Sequence, residues 1–435
     1  MRIFILMYNF PPIGAGRGIA WANFSEQLSK KHDVTVFTID PSKTDPIYNS
    51  EKLDMISNEY RVVRSYGGRF YEKLYPSKEK RSETNKEKST APQNKIKLLA
   101  KSIYKKKIKS FFFPDRMIFW NQYLKKSVLE ISGKNGNPDV IISVGFPFST
   151  HLLAKKLKKY FNCKLIFDYG DPWSFNPSNE TVPKRRRILD RYVEKRTLKH
   201  ADFVTVTTSA TLDEYVRQFP FIKNKIAIIS QGVDTKIYER ERKCTNNSKH
   251  NINFFYSGIF YEDIRNPESF FNALEKINSR QLNNRNIVIT IAGKMEQYVL
   301  ERIQTFDNKN ITFNMLGNIG FNEVVDNQIN TDALLFFGNL GSVQVPGKLF
   351  EYLATDRPIF AICDEKDYSK EVINSYDRGR VSTYDENEII RNLITFIQDY
   401  SDGNFEHIER VKDYDWAIIG EKYLKIIDQM QEEYL

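Results

Sequence analysis

Cysteine is scarce in this 435-residue chain: Cys163, Cys244 and Cys363 are the only three, and none belongs to a C-x-x-C pair. Neither a disulfide framework nor a cysteine zinc site is expected, and a reducing compartment fits best. No run of about 18 apolar residues occurs, so no segment is expected to cross a membrane as a helix. The opening stretch RIFILMY is apolar, but Asn9, Pro11 and Pro12 follow at once, which is too short and wrongly flanked for a signal peptide. Five histidines, His32, His151, His200, His250 and His407, are scattered without metal-ligand spacing, and no metal is assigned.

What is present is a globular composition. Hydrophobic residues make up 41%, aromatics 14% and charged residues 28%, enough apolar material for sizeable cores, and the length implies two or three domains. The 65 Lys and Arg against 55 Asp and Glu leave +10. Twelve Lys or Arg and three Glu between Lys78 and Lys109 put +9 of that in one stretch, so the basic character is a patch.

RIFILMY reads as a buried parallel strand, the apolar spacing from Gly18 to Lys30 as a helix, and DVTVFTI as a second strand. After the basic region the alternation resumes with DVIISV, LLAKKLKKYF, KLIFDY, a basic helix from about Lys184 to Lys199, FVTVTT and KIAIIS. Alternating strands and helices predict a parallel sheet covered on both faces. The polar stretch from Glu239 to Asn251 reads as a linker, beyond which INFFYS, NIVITIA, NITFNML, ALLFF and PIFAI alternate with helices again. This predicts α/β domains over 1–238, carrying a basic insertion at 78–109, and over 252–415, with a helix at 416–435. Two such domains joined by a linker are expected to leave a cleft.

Four segments carry candidate chemistry. In PPIGAGRG, Gly14, Gly16 and Gly18 lie between the first strand and helix, where glycine lets a backbone approach a phosphate and the helix start supplies N–H donors. Plain turn geometry is the alternative there, and Arg17 shares it. FDYGDPW places Asp168 at a strand end with Asp171 and Trp173 beyond it, where carboxylates can hold sugar or acceptor hydroxyls, or where Asp171 before Pro172 simply organises a turn. SGIFYEDIR leaves a strand through Gly258 and sets Arg265 ahead of a helix near Pro267, either facing an anion or paired with Glu262 or Asp263. In VPGKLFEYLATDRPI, Pro346 and Gly347 lead into a helix with Lys348 in its first turn and Glu351 at i+3, either an anion and ribose site or an ordinary salt-bridged helix.

YNFPPIGAGRG, PDVIISVGFPFSTHLLA, FDYGDPW, ADFVTVTTSA, IAIISQGVD and VPGKLFEYLATDRPI, in this order, resemble a retaining glycosyltransferase of the GT-B fold. More narrowly, they are similar to the bacterial GT4 group that builds cell-surface polysaccharides such as capsule and O-antigen. The likeness spans nearly the whole chain apart from the basic insertion. It implies two Rossmann-like domains facing across a cleft, with the final helix returning to the first.

The resemblance further implies a nucleotide-sugar donor, most naturally a UDP-sugar, bound by Gly16, Arg17, Gly258, Arg265, Pro346, Gly347, Lys348 and Glu351. Glu351 matches the second glutamate of an E-x7-E motif and would hold the ribose, while Val343 stands where the first glutamate belongs. Arg265 would hold the diphosphate, at one residue's offset from the usual spacing. Asp168, Asp171 and Trp173 fall on the acceptor side, with Asp171, Arg265 and Lys348 in catalysis. No metal or other cofactor is implied, since the one Asp-x-Asp, Asp413 to Asp415, lies in the tail rather than after a strand. A UDP-sugar epimerase of the same architecture and a degenerate scaffold are the rival readings.

From Lys95 to Phe113, Lys97, Lys101, Lys105 and Lys109 follow one side of a helix and Ile96, Leu99, Ala100 and Ile103 another. This is an interfacial pattern, suited to the anionic inner face of the cell membrane and a lipid-linked or saccharide acceptor. A surface helix on its apolar stripe is the alternative. Nucleic acid is not expected, because aromatics are not interleaved with the basic residues.

Overall fold

The computed structural model describes residues 1–13, 16–76, 112–176, 182–242, 250–341 and 344–432. The basic insertion at 78–109, the segment 95–111, Gly14 and Val343 lie outside the described residues. Contacts divide the chain into two units. The first comprises Met1–Thr207, Thr211–Ser230 and Ile419–Leu435, and the second Thr208–Ala210 and Gln231–Ile418.

The first unit is built on strands β1 (Arg2–Leu6), β2 (Asp33–Ile39), β3 (Arg61–Ser65), β4 (Val140–Gly145), β5 (Lys164–Tyr169), β6 (Phe203–Val206) and β7 (Ile226–Ile228). They form one sheet in the order β3-β2-β1-β4-β5-β6-β7, with every pair parallel. Continuous apolar runs make this possible, since a strand covered by helices on both faces has no solvent side to keep polar. All six residues of β4, VIISVG, are buried. Its helices are α1 (Gly16–Ser29), α2 (Gly68–Leu74), α3 (Asn121–Asn135), α4 (Ser149–Phe161), α5 (Lys184–Leu198) and α6 (Ser209–Gln218). Helix α1 closes tightly on the turn before it, for a Cβ on Gly18 would sit 2.6 Å from the Asn9 carbonyl oxygen.

The second unit contains β8 (Asn251–Ser257), β9 (Asn286–Ala292), β10 (Ile311–Gly317), β11 (Ala333–Phe337), β12 (Ile359–Ile362) and β13 (Gly379–Ser382), in the order β10-β9-β8-β11-β12-β13. Its pairs are also parallel. Helices α7 (Glu268–Lys276), α8 (Gln297–Gln304), α9 (Phe321–Asn330), α10 (Lys348–Leu353), α11 (Tyr368–Ser375) and α12 (Glu386–Ser401) cover it. A last helix, α13 (Trp416–Glu432), starts among second-unit residues, and its remainder from Ile419 counts with the first. In each sheet the strand order reverses once, at β1/β4 and at β8/β11, and loops leaving the carboxyl ends there diverge to leave a crevice.

The polar stretch 239–251 does not mark the division between units. The contact boundary falls at Ser230–Gln231. Just ahead of the stretch, Tyr238 is fully buried in the second unit with Val325, Ile329 and Phe350. Along the chain, a polar run that joins two domains and one that lies within a domain look alike.

One buried carboxyl in the first unit titrates near neutrality. Burial on α5 pushes Glu194 up to about 7, although its oxygens accept from the Ser174 N–H at 3.1 Å and the Tyr215 hydroxyl at 2.8 Å. The unfolded chain releases this proton near ~4.3. The folded state therefore holds a proton that the unfolded state has lost, and stability falls as pH rises from about 5 to 7. Glu194→Gln is expected to flatten that decline, removing a loss of a few degrees in melting temperature on the order given by protein size. Thermal unfolding across this pH range checks it, and parallel wild-type and variant profiles would remove Glu194 as the source.

Candidate functional site

In the second unit the candidate residues gather at the carboxyl edge of the sheet. Helix α10 is short, with Gly347 as an N-cap that makes no side-chain hydrogen bond. Leu349, Phe350 and Leu353 are buried and pin it. That leaves Lys348 and Glu351 together on the other side at i and i+3. The Lys348 ammonium meets Glu351 Oε2 at 2.8 Å, with side-chain exposures of 35% and 21%. The same oxygen accepts from Gln328 Nε2 at 3.1 Å and from the Tyr238 hydroxyl at 3.5 Å. No donor among the described residues reaches Oε1. One carboxylate oxygen is thus clamped and the other left open.

Gln328, fully buried on α9, links this cluster to the end of β8 by a long contact from Nε2 to Ser257 Oγ at 3.4 Å. Gly258 follows, packed so closely that a Cβ on Gly293, at φ +136°, would lie 2.2 Å from its carbonyl oxygen. Beyond it Arg265 donates to Asn339 Oδ1 at 2.6 Å rather than pairing with Glu262 or Asp263, and α7 begins at Glu268. Asn339 sits in the loop after β11, held by its backbone N–H to Asp367 Oδ2 at 3.1 Å. Arg265 Nε is buried without an acceptor among the described residues. Gly258, Arg265, Pro346, Gly347, Lys348 and Glu351 thus all lie in loops or helix starts at one sheet edge, around the β8/β11 reversal.

The first unit corrects the acceptor-side expectations. Asp168, at the end of β5, is fully buried, and its carboxylate is saturated from four directions. Arg17 grips both oxygens, the Trp21 indole N–H donates to Oδ2 at 2.9 Å, and the Thr205 and Tyr423 hydroxyls reach Oδ1 at 2.7 and 2.9 Å. Burial opposes both charges, yet the ion pair and hydrogen bonds win, lowering the Asp168 pKa and raising that of Arg17. Asp168 therefore has no lone pair to offer an acceptor, while Arg17 spends Nε and Nη2 on Asp168 and keeps Nη1 without a partner among the described residues. Trp173 is also interior, 2% exposed, stacked on Phe148 at 5.1 Å and donating to Asp190 at 3.0 Å. It offers no platform to a sugar.

Asp171, exposed in the loop after β5, is the member of that motif at the surface. Gly16 begins α1, and a Cβ there would meet nothing within 4 Å. Sequence reasoning missed Tyr238, Gln328 and Asn339, which hold Glu351 and Arg265, and Trp21, Thr205 and Tyr423, which hold Asp168. The spacing of four between Arg17 and Trp21 is the one local signal among these. Among the described residues no group of three or more His, Cys, Asp or Glu is placed to hold a metal. No described helix is long and apolar enough to cross a membrane.

Comparison with known proteins narrows the chemistry. No curated protein sequence matches the chain. Among solved structures, it is similar to sucrose-phosphate synthase from Thermosynechococcus elongatus, with TM-score 0.63 and 14% identity, covering 100% of both chains. It is similar to Anabaena HepE in complex with UDP, with TM-score 0.62 and 11% identity, covering 99% and 100%. It is also similar to WaaG, a glycosyltransferase involved in lipopolysaccharide biosynthesis, with TM-score 0.55 and 11% identity, covering 98% and 99%. At these identities the likeness establishes the shared fold of two parallel-sheet domains. The sequence itself matches the family model for Glycosyltransferase Family 4 over residues 16–237, half of the chain. With the two reversed parallel sheets and that match in hand, the chain belongs to Glycosyltransferase Family 4 and is a glycosyltransferase of the GT-B fold.

Proposed function

We propose that the protein moves a sugar from a UDP-sugar to a membrane-associated or saccharide acceptor in cell-surface polysaccharide synthesis, with retention of anomeric configuration. The observation that carries this reading is the Glu351 carboxylate, held through Oε2 by three donors while Oε1 stays open. An oriented, partly exposed carboxylate is suited to accept hydrogen bonds from ribose hydroxyls. Arg265, in the loop after β8, supplies fixed positive charge for the diphosphate, with Lys348 and the backbone of Gly258, Pro346 and Gly347 around it. Asp171 and Gly16 remain the first-unit candidates. The UDP assignment draws support from HepE, whose structures include complexes with UDP and UDP-glucose, and the polysaccharide role from WaaG.

In this mechanism the C1–O bond to the diphosphate lengthens, the sugar gains oxocarbenium character, and the acceptor hydroxyl attacks from the same face. The departing phosphate takes the acceptor proton, so no separate general base is required. Preorganised charge at the leaving group carries the catalysis, and one lost donor of this kind typically costs about 3 kcal/mol. Family membership favours transfer over the epimerase and scaffold readings.

Thermal unfolding with UDP, GDP, ADP and their sugar derivatives, in EDTA, tests the proposal. Selective stabilisation by UDP is expected, about 2.7 kcal/mol at a hundred times its dissociation constant. No shift with any nucleotide would overturn the donor assignment, and a shift that needs added metal would overturn metal-independent binding.

A further inference from the structure

Helix α5, KRRRILDRYVEKRTL, has a charge distribution that stability does not explain. Its only two carboxylates point inward. Asp190 accepts from Arg186 and Trp173, both at 3.0 Å, and Glu194 from Ser174 and Tyr215. The exposed side carries Lys184, Arg185, Arg187, Arg191, Lys195 and Arg196, with Lys199 just past the helix end. None of these forms an ion pair with a described carboxylate. Interleaved with them are three large apolar side chains in water, Ile188 at 62%, Leu189 at 45% and Tyr192 at 54% exposure. A merely solvated basic helix has no use for those three.

The cationic side is also concave. Lys155 on α4, Tyr192, Lys195, Arg196, Lys199 and His200 line a groove of about 480 Å³, with no acidic residue in its wall. Arg196 stacks over the Tyr192 ring at 5.5 Å and donates to its hydroxyl at 2.6 Å, fixing one wall. Burial and the neighbouring cations push the pKa values of Lys155 and His200 down, as expected of positive charge without counter-charge. At the other end of the helix, Arg186 donates to the Phe112 and Pro114 carbonyls at 3.0 and 2.5 Å, and its guanidinium lies 4.7 Å from the Phe113 ring.

We propose that the exposed side of α5, with this groove, is a docking surface for an anionic lipid bilayer. Cations meet the headgroups, Ile188, Leu189 and Tyr192 enter the interface, and the groove seats a lipid phosphate. Cations with interleaved aliphatic side chains are the chemistry of a bilayer surface, whereas a single-stranded nucleic acid pairs cations with several aromatic stacking platforms, of which this side offers only Tyr192. The inference stands apart from the donor reading, because α5 contains none of the residues assigned to donor or catalysis.

The test is flotation of the full chain with vesicles of phosphatidylcholine alone and of phosphatidylcholine mixed with phosphatidylglycerol. Wild type is expected to float with the mixed vesicles only, and less at high salt. Reversing Arg185, Arg191 and Lys195 to Glu is expected to weaken this on the order of a hundredfold. Ile188→Ser with Leu189→Ser withdraws about six carbons, each contributing up to about 0.8 kcal/mol when inserted, and should weaken it by at least tenfold. Unchanged melting temperature in both variants excludes misfolding, and an unchanged UDP response keeps the donor question separate. Flotation insensitive to both variants would overturn the proposal, as would wild type that binds neither vesicle. Binding to single-stranded DNA that depends on the charges but not on Ile188 and Leu189, without flotation, would assign the surface to nucleic acid instead.

Discussion

Asp168→Ala is expected to destabilise the first unit by about 3–5 kcal/mol, the usual consequence of removing one partner from a buried ion pair. With about 2–4 °C per kcal/mol for a unit of this size, the melting temperature should fall by roughly 10 °C. The reason is geometric. The carboxylate is fully buried, Arg17 is 13% exposed, and the indole of Trp21 and hydroxyls of Thr205 and Tyr423 converge on the same two oxygens. Alanine leaves a guanidinium in the interior with no counter-charge, the Trp21 indole N–H without an acceptor, and the Thr205 and Tyr423 hydroxyls with only each other, at 2.7 Å. Its pH dependence follows from the lowered pKa. The stabilisation is fully present above the unfolded carboxylate's ~3.9 and is lost as pH falls through the lower folded value. Asp168→Asn, which keeps the shape and one acceptor, should cost less. A melting temperature for Asp168→Ala within about 2 °C of wild type would show that the network contributes little.

Glu351→Ala should weaken UDP binding on the order of a hundredfold, since two charge-assisted hydrogen bonds of roughly 1.5 kcal/mol or more each disappear. Lys348, Gln328 and the Tyr238 hydroxyl then lose the oxygen that gathers them. Glu351→Gln separates these effects, retaining one acceptor for the clamp without the negative charge that strengthens the ribose contact. Calorimetry with UDP reads the affinity, and thermal unfolding without ligand reads the fold. Unchanged UDP affinity in both variants would remove Glu351 from the ribose. A melting temperature that drops along with affinity in the alanine variant only would separate the clamp from the ligand contact.

These two carboxylates also show where local sequence information stops. The strands were legible because a buried parallel strand is a continuous apolar run, as in β1 and β4, and the helices between them because apolar residues recur at 3.6-residue spacing. Lys348 and Glu351 were placed correctly for the same reason: i and i+3 share a helix side whatever surrounds them. Asp168 was correctly set at the end of β5, yet its role was misread. Strand position does not say which neighbour fills the space beside a side chain. Its partners come from 151 residues upstream, in Arg17, and 255 residues downstream, in Tyr423.

The basic helix was likewise visible in the sequence, expected from about Lys184 to Lys199 and observed over Lys184–Leu198, but which of its charges face water was not. Asp190 and Glu194 sit among cations along the chain and suggest a mixed, self-neutralising surface. Folding turns both inward, onto Trp173, Ser174 and Tyr215, and leaves the cations outside. Periodicity along the chain thus determines which segments become strands and helices, because backbone hydrogen bonding and the covering of apolar faces are repeated locally. Whether a given carboxylate binds a ligand, anchors a core or cancels a neighbour is decided only when distant elements pack, since desolvation and Coulomb attraction depend on distance in space and not on separation along the chain.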